Sequence, residues 1–436
     1  MDNRNLPGRP GNFNMTTNDE PNEMSVAGDT INFAPMKKDS SSFDSMDDGE
    51  FNHKKVIDKR KKKKNLKRRI ILGVAAGILG IIIGILCAVL WYKNYLLNKI
   101  TYEDSTVYET FIDENGEVRN VAEFVHEPEH EIIEAEDIHN FLLIGIDSRS
   151  SGYSSTGRGG LADVIMVLSV DNDKGTIKMI SIARDDYAYV PGYSRPMKIN
   201  AAMSLAGPEV LKLTVENMLR LNIDGYAYVN FANMAYVIDA VGGVYCNVSP
   251  GELSAEGGLN WNLAEINNLY GRPSDYQAVT STGTIWLNGN QAVAYARIRK
   301  IDSDYGRSER QVEVLRSLLS QFMGLGVSGK AAAMDNILEH IVTNIPKEKI
   351  QEYALEFLPE LQNARIEYMQ LPIQGCFNSG MYGGEWSIRP NWNAEIPYVQ
   401  QFFYGETKEF DPVEEIPSSP ATSNCPTDLK IEDLLR

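Results

Sequence analysis

Apolar positions change their period along this chain, and the changes mark out its elements. NFLLIGI (140–146) and DVIMVLSV (163–170) are short continuous apolar runs, the pattern of buried strands. After a turn over 171–175, TIKMISIA (176–183) alternates and predicts the second arm of a hairpin. Pro208 to Leu221 has helical spacing with proline near its start. AYVNFANMAYVIDAVGGVYCNV (227–248) predicts a strand, a helix, a stop at Gly242-Gly243 and another strand. Asn288–Ala296 and Gly306–Met323 predict helices, and 330–362 holds two more. RIEYMQLP (365–372) predicts a strand returning to the sheet. Strands and helices intermix, which implies helices packed around a mixed sheet.

One run breaks this pattern. Ile70 to Tyr92 reads IILGVAAGILGIIIGILCAVLWY, without a charge. About 20 apolar residues cross a bilayer core as a helix, and Trp91 and Tyr92 suit the interface. The run starts too deep in the chain and is too long for a cleaved signal peptide. It predicts one transmembrane helix. Between Lys54 and Arg69 stand eleven Lys/Arg against Asp58, a local +10; the rest carries −27, to give the net −17. By the positive-inside rule the basic run keeps residues 1–69 cytoplasmic and places the chain after Lys93 outside. Single-pass anchorage in the cell membrane is therefore expected. The acidic bulk argues against nucleic acid as a partner.

These features divide the chain. Residues 1–69 are expected to be a disordered tail ending in the basic run, and 70–92 the membrane helix. Residues 93–137 are a stalk or accessory segment, either leading strands or a linker. A catalytic domain is expected over 138–324, an accessory part packed on it over 325–405, and a disordered Pro/Ser-rich tail over 406–436. Cys246, Cys376 and Cys425 show no metal-site spacing; no structural disulfide is expected, one bridge with one free thiol being the alternative.

The chemistry concentrates in AYARIRKIDSDYGRSERQ (294–311). It packs Arg297, Arg299, Arg307 and Arg310 around Asp302 and Asp304, and ends in Gln311. Arg matches phosphate geometry, and Asp holds Mg²⁺. Asp147 and Arg149, Asp163, and Arg184 with Asp185 stand at predicted strand ends, where loops gather around ligands. Loop 148–160 contains Arg158 but has neither the spacing nor the lysine of a P-loop, so nucleotide binding is disfavoured. The chain has no nucleophile elbow, no metal box and five His, which disfavours a Ser/His/Asp hydrolase. Phosphoryl transfer needs charge stabilisation and a proton acceptor rather than a protein nucleophile. A single Arg–Asp pair is most often a surface ion pair of little energy; the assembled set points to a magnesium-bound phosphate or pyrophosphate.

NFLLIGIDSR (140–149), ADVIMVLSV (162–170), MISIARDDY (179–187), KINAAMSLAG (198–207), TVENMLRLNIDGYAYVNFANMAYVIDAVGGVYCNV (214–248) and LNGNQAVAYARIRKIDSDYGRSERQ (287–311), in this order, resemble the LytR–CpsA–Psr family of bacterial cell-wall enzymes. The likeness covers nearly half of the chain. It implies an α/β fold, an α-β-α sandwich with a mixed central sheet, holding a hydrophobic tunnel for a prenyl chain. It implies an extracellular phosphotransferase in a bacterium of Gram-positive type. Such an enzyme moves an anionic glycopolymer, of teichoic acid or capsule type, from a polyprenyl-pyrophosphate carrier to peptidoglycan. By motif, the catalytic set is Asp147, Arg149, Asp163, Arg184, Arg297, Arg299, Asp304 and Arg307. Lys198, Gln311 and Asp185 are expected to bind substrate, and Asp147 and Asp163 to hold Mg²⁺ or Mn²⁺. The chain departs from the family in Ala162-Asp163-Val164, often Ser-Asp-Thr, and in Ala183-Arg184-Asp185, often Pro-Arg-Asp. FANMAYVIDAV (231–241) and VEVLRSLLSQFM (312–323) could line the tunnel, plain core packing being the alternative. Two other functions use the same residues: hydrolysis of the lipid pyrophosphate, and a non-catalytic lipid-binding regulator of the wall.

Overall fold

Seven strands form one mixed sheet in the computed structural model. In chain order they are β1 (Thr101–Tyr102), β2 (Ile138–Ile146), β3 (Ala162–Asp171), β4 (Thr176–Ile182), β5 (Gly225–Asn230), β6 (Val342–Thr343) and β7 (Arg365–Leu371). Across the sheet the order is β1-β6-β5-β2-β3-β4-β7. The structure describes residues 80–103, 110–125, 137–147, 160–301, 304–360, 364–426 and 429–435, with a few single positions besides. The N-terminal tail, Arg149, Arg158 and Asp302 lie outside the described residues, as does most of the predicted membrane span before Gly80.

The predicted hairpin is present: β3 and β4 pair antiparallel, and the Asp171 carboxylate accepts from the Lys174 backbone N–H in the turn. β2 pairs antiparallel with β3 and parallel with β5, and β7 joins β4 in parallel. Alternate residues of each strand face opposite layers. Leu142, Ile144 and Ile146 of β2, Ile165 and Val167 of β3, and Ile180 and Ile182 of β4 enter the larger core. There they meet α2 (Asn200–Ala206) and α3 (Pro208–Leu219). The intervening residues Leu143, Gly145, Val164 and Met166 face the other layer. That layer is built on α4 (Phe231–Ala240), α5 (Leu259–Leu269), α6 (Gly289–Ala296) and α7 (Asp304–Gly324). The sandwich implied by the sequence is thus the observed fold.

Capping sets the helix starts. Asn230 caps α4, and Asn288 with Gln291 forms a capping box on α6. The predicted stop after α4 is made by Gly242 and Gly243, with φ of 90° and 89°, where a side chain would be strained.

One open alternative is resolved and two segment expectations change. The stalk contributes strands: β1 joins the sheet, Thr110–Ile112 pairs with Val118–Asn120, and Phe111 is buried in the main core. The part after 325 is integral, because β7 lies in the sheet and α10 (Trp392–Tyr404) packs on α3. Between them run α8 (Val327–Ile337) and α9 (Lys347–Glu360). The C-terminal segment is packed, not disordered. Ile416 and Cys425 are buried, and the Asp411, Pro412, Pro417, Pro420 and Pro426 carbonyls accept from Arg220, Arg389, Asn391 and Tyr398. A separate two-stranded hairpin, β8 (Phe377–Tyr382) with β9 (Glu385–Pro390), stands outside the main sheet. All four cysteines are free.

Candidate functional site

The register of the sheet brings the strand-end residues together. Ile146 at the end of β2 faces Ala162 at the start of β3, and Ile165 of β3 faces Ile182 of β4. Asp147, Asp163, Arg184 and Asp185 therefore share one end of the sheet. Arg184 forms an ion pair with Asp163, and its Nε lies 3.5 Å from Asp185 Oδ2. Lys198 Nζ reaches Asp185 Oδ1 at 3.0 Å, and Arg299 lies 3.6 Å from Oδ2. Asp185 is only 3% exposed. Burial alone would raise its pKa, but Arg184, Lys198 and Arg299 outweigh it and hold the carboxyl below its usual value. One buried anion thus positions three cations.

The second half of the site comes from the α6–α7 connection. Arg297 is the C-cap of α6, and its guanidinium stacks over the Phe231 ring at 5.2 Å. Arg310 is 4% exposed; it pairs with Glu252 at 3.1 Å and donates to the Ile298 carbonyl at 2.8 Å. It therefore pins the loop between Arg297 and Arg299 and acts structurally. Arg307 and Gln311 lie one turn apart on α7, as i and i+4. Arg307 is buried, and Gln311 donates to the Ala296 carbonyl at 3.5 Å. Asp304 opens α7; its side chain, and all of Arg149, lie outside the described residues.

Two cavities lie side by side here, with two wall residues in common. One, of about 200 Å³, lies between the sheet and α4, α6 and α7. It exists because Gly145, Ala227, Ala292 and Ala296 are small where larger side chains would fill the layer. Val164, Met166, Met234, Val237, Val314, Leu315 and Leu318 complete an apolar wall, and such a space stays dry and takes apolar ligands. The other is a mixed cleft of about 590 Å³, in which Asp147, Glu265, Asn268, Asn290 and Arg297 stand among apolar residues such as Ile266 and Leu269. Phe231 and Val293 line both. Both apolar stretches expected to line a tunnel, 231–241 and 312–323, do contribute to the wall.

Sequence reasoning missed Glu385. This residue of β9 hydrogen-bonds the Tyr187 hydroxyl and lies 3.7 Å from Lys198. Its segment carried no pattern beyond a Gly-rich turn. The β8–β9 hairpin is held there by Arg389, whose guanidinium lies over both Tyr187 and Tyr382, at 4.4 and 4.1 Å. Tyr305 of α7 anchors its base, stacking on Phe377 and donating to the Pro372 carbonyl at 2.6 Å.

Residues 101–392 match the LytR_cpsA_psr family. The chain belongs to this family. The match is wider than 140–323 because the leading strands, β7 and the hairpin are part of the fold. Among curated relatives, the chain is 28% identical over 309 residues to a polyisoprenyl-teichoic acid–peptidoglycan teichoic acid transferase, TagU, of Halalkalibacterium halodurans, covering 70% of this chain and 90% of that one. It is 30% identical over 261 residues to the regulatory protein MsrR of Staphylococcus aureus, covering 59% and 72%. Protein gbs0355 of Streptococcus agalactiae shares the fold, with a TM-score of 0.53, 22% identity, and coverage of 66% of this chain and 96% of that one.

Among the described residues no group of three or more His, Cys, Asp or Glu is arranged to hold a metal by itself. Of the two expected metal ligands, Asp163 is engaged by Arg184. Mg²⁺ is commonly held by one or two carboxylates plus phosphate oxygens, and Asp147 and Asp163 stand at neighbouring strand ends.

Proposed function

We propose that this protein is a membrane-anchored transferase that moves an anionic glycopolymer from a polyprenyl-pyrophosphate carrier to peptidoglycan. The observation that carries this is a dry apolar cavity set beside a cleft that holds Asp147 and Arg297, the two sharing Phe231 and Val293 in their walls. A ligand that fills both is apolar at one end and anionic in the middle. The TagU relative is named for transfer of teichoic acid from a polyisoprenyl carrier to peptidoglycan, which agrees with that shape.

The prenyl chain takes the apolar cavity and the pyrophosphate lies beside Arg297, Arg299, Arg184 and Arg307. Asp147 and Asp163 would hold Mg²⁺ against it, and the ion would neutralise charge on the phosphate oxygens. The acceptor hydroxyl attacks the phosphorus that bears the polymer. The P–O bond to the carrier phosphate breaks, polyprenyl phosphate leaves, and the hydroxyl proton passes to a site carboxylate. Asp185 keeps Arg184, Lys198 and Arg299 in place, so charge stabilisation is organised before the substrate arrives. The glycopolymer lies in the mixed cleft, where Glu265, Asn268 and Asn290 offer hydrogen bonds.

The test uses the full chain with lipid-linked polymer, peptidoglycan fragments and Mg²⁺. Arg297→Ala or Arg307→Ala is expected to reduce transfer about 100-fold or more, the scale of losing one preorganised charge-stabilising group, with folding retained by circular dichroism. Wild-type transfer rates in both variants would remove the site. Free phosphorylated polymer as the sole product would replace transfer with hydrolysis.

A further inference from the structure

The helix α1 (Gly80–Leu97) is apolar and long enough to cross a membrane, and its outer end is docked on the folded domain. The Tyr92 hydroxyl donates to the Ala331 carbonyl at 3.1 Å. Lys99 Nζ donates to the Asp335 carbonyl at 2.7 Å and pairs with its carboxylate at 2.9 Å. Lys347 reaches Asn98 at 3.2 Å, and Leu97 and Ile100 are buried. These contacts fix direction as well as place. Tyr92 meets Ala331 and Lys99 meets Asp335, so the contacts follow the same order along both segments. Going back along α8 from Ala331 therefore leads toward the apolar part of α1.

Val327, the first residue of α8, lies four residues before Ala331, about 6 Å at the helical rise. That puts it about one turn before the Ala331 contact, on the side toward the apolar part of α1. Trp and Tyr mark the interface of a membrane helix, and Trp91 is 69% exposed. Val327 is 89% exposed, the most exposed of the large apolar residues among those described. The turn before it, Gly324-Leu325-Gly326, carries no charge. Val327 thus stands where water would otherwise surround a bare apolar side chain.

The same turn ends α7, whose inner face runs through Gln311, Val314, Leu315 and Leu318 in the cavity wall. Phe322 and Leu325 continue that face and pack on the same core. From Gln311 to Leu325 is about 21 Å of helix. The polar site stands at one end of α7 and the docked membrane helix at the other.

We propose that the turn 324–327 is seated in the bilayer, at the boundary of headgroups and acyl chains, and that the Leu318 end of the cavity receives the prenyl chain there directly from the lipid. The occupant of this surface is the membrane leaflet on the domain's side. The proposal rests on the lipid-carrier reading and makes α7 the path from the membrane to the arginines.

The test places a fluorescent label at Val327→Cys and, as a control, at the exposed Val118→Cys of the leading hairpin. The background is full-length Cys87→Ser protein in phosphatidylcholine–phosphatidylglycerol vesicles; the other three cysteines are buried. Brominated acyl chains are expected to quench the label at 327 and leave that at 118 unchanged. Equal quenching at both positions, or none at 327, overturns the proposal. In a second arm, Val327→Asp is expected to lower turnover of a long-chain donor embedded in vesicles while leaving a short, water-soluble prenyl donor unaffected. Equal turnover of the embedded donor by variant and wild type overturns the proposal as well. If wild-type protein turns over neither donor, the transferase reading fails, and the quenching result still decides the membrane seat.

Discussion

Asp185 and Glu395 are both buried carboxyls close to the site, and their surroundings push them in opposite directions. Asp185 is held ionised by Arg184, Lys198 and Arg299 against its own burial. Its folded pKa lies below the unfolded value of about 3.9. The stability it contributes is present above that value and is lost as pH falls through the folded pKa. Asp185→Asn is therefore expected to melt below wild type from pH 8 to pH 5, with the gap closing in acid; calorimetry across pH checks it, and a gap independent of pH would contradict it. Glu395 of α10 is fully buried and faces Asp186 and Cys425; burial first, then the Asp186 charge, raises its pKa well above the usual range. Its folded state keeps a proton that the unfolded state releases above about pH 4.3. Wild type thus loses stability as pH rises between those two values. Glu395→Gln is expected to gain in melting temperature relative to wild type from pH 5 to pH 8. A difference that stays constant from pH 5 to pH 8 would show that Glu395 is ionised in the fold.

At the scale of elements, the instructive segment is 406–435. Its composition, rich in Pro, Ser and acidic residues, lacks any apolar period, and by pattern it belongs with disordered tails. It is held in another way. Side chains of the folded domain donate to its backbone carbonyls: Arg220 to Asp411 and Pro412, Asn393 to Val413, Arg389 to Pro417, Asn378 to Ser418 and Asn391 to Pro420. Backbone carbonyls are the same in every sequence, so this strap leaves no signature. Ending the chain at Gly405 would strand these donors, at about 1–3 kcal/mol for each buried one. The truncated chain is expected to unfold at a clearly lower urea midpoint, with the site's ion pairs intact in the remaining native fraction. An unchanged midpoint would mean that water replaces the strap without loss. Elements with a strong local period behaved differently. The β3–β4 hairpin, the α4 helix with its double-glycine stop and the β7 strand all stand where apolar spacing predicts them, because each carries its own burial pattern.

Across the whole molecule, charge and apolar space are sorted into separate places. Arg184, Lys198 and Arg299 gather on Asp185 at one end of the sheet, while the apolar space lies between the sheet and α4, α6 and α7. The family's fold supplies the layers, and four small residues, Gly145, Ala227, Ala292 and Ala296, supply the space within one of them. By itself the sequence determined the strands and helices, the membrane run, and the identity of the charged residues, since period, length and residue type are local properties. Arg310 could be assigned to support only weakly from sequence, and its bond to the Ile298 carbonyl gives the reason. The tertiary structure alone decided which charges meet. Asp185 became the shared anion of three cations, Glu385 entered the site from a featureless hairpin, and the strap closed over α10. Each depends on chain segments more than 10 residues apart, and contacts at that separation arise from packing, which local pattern does not encode.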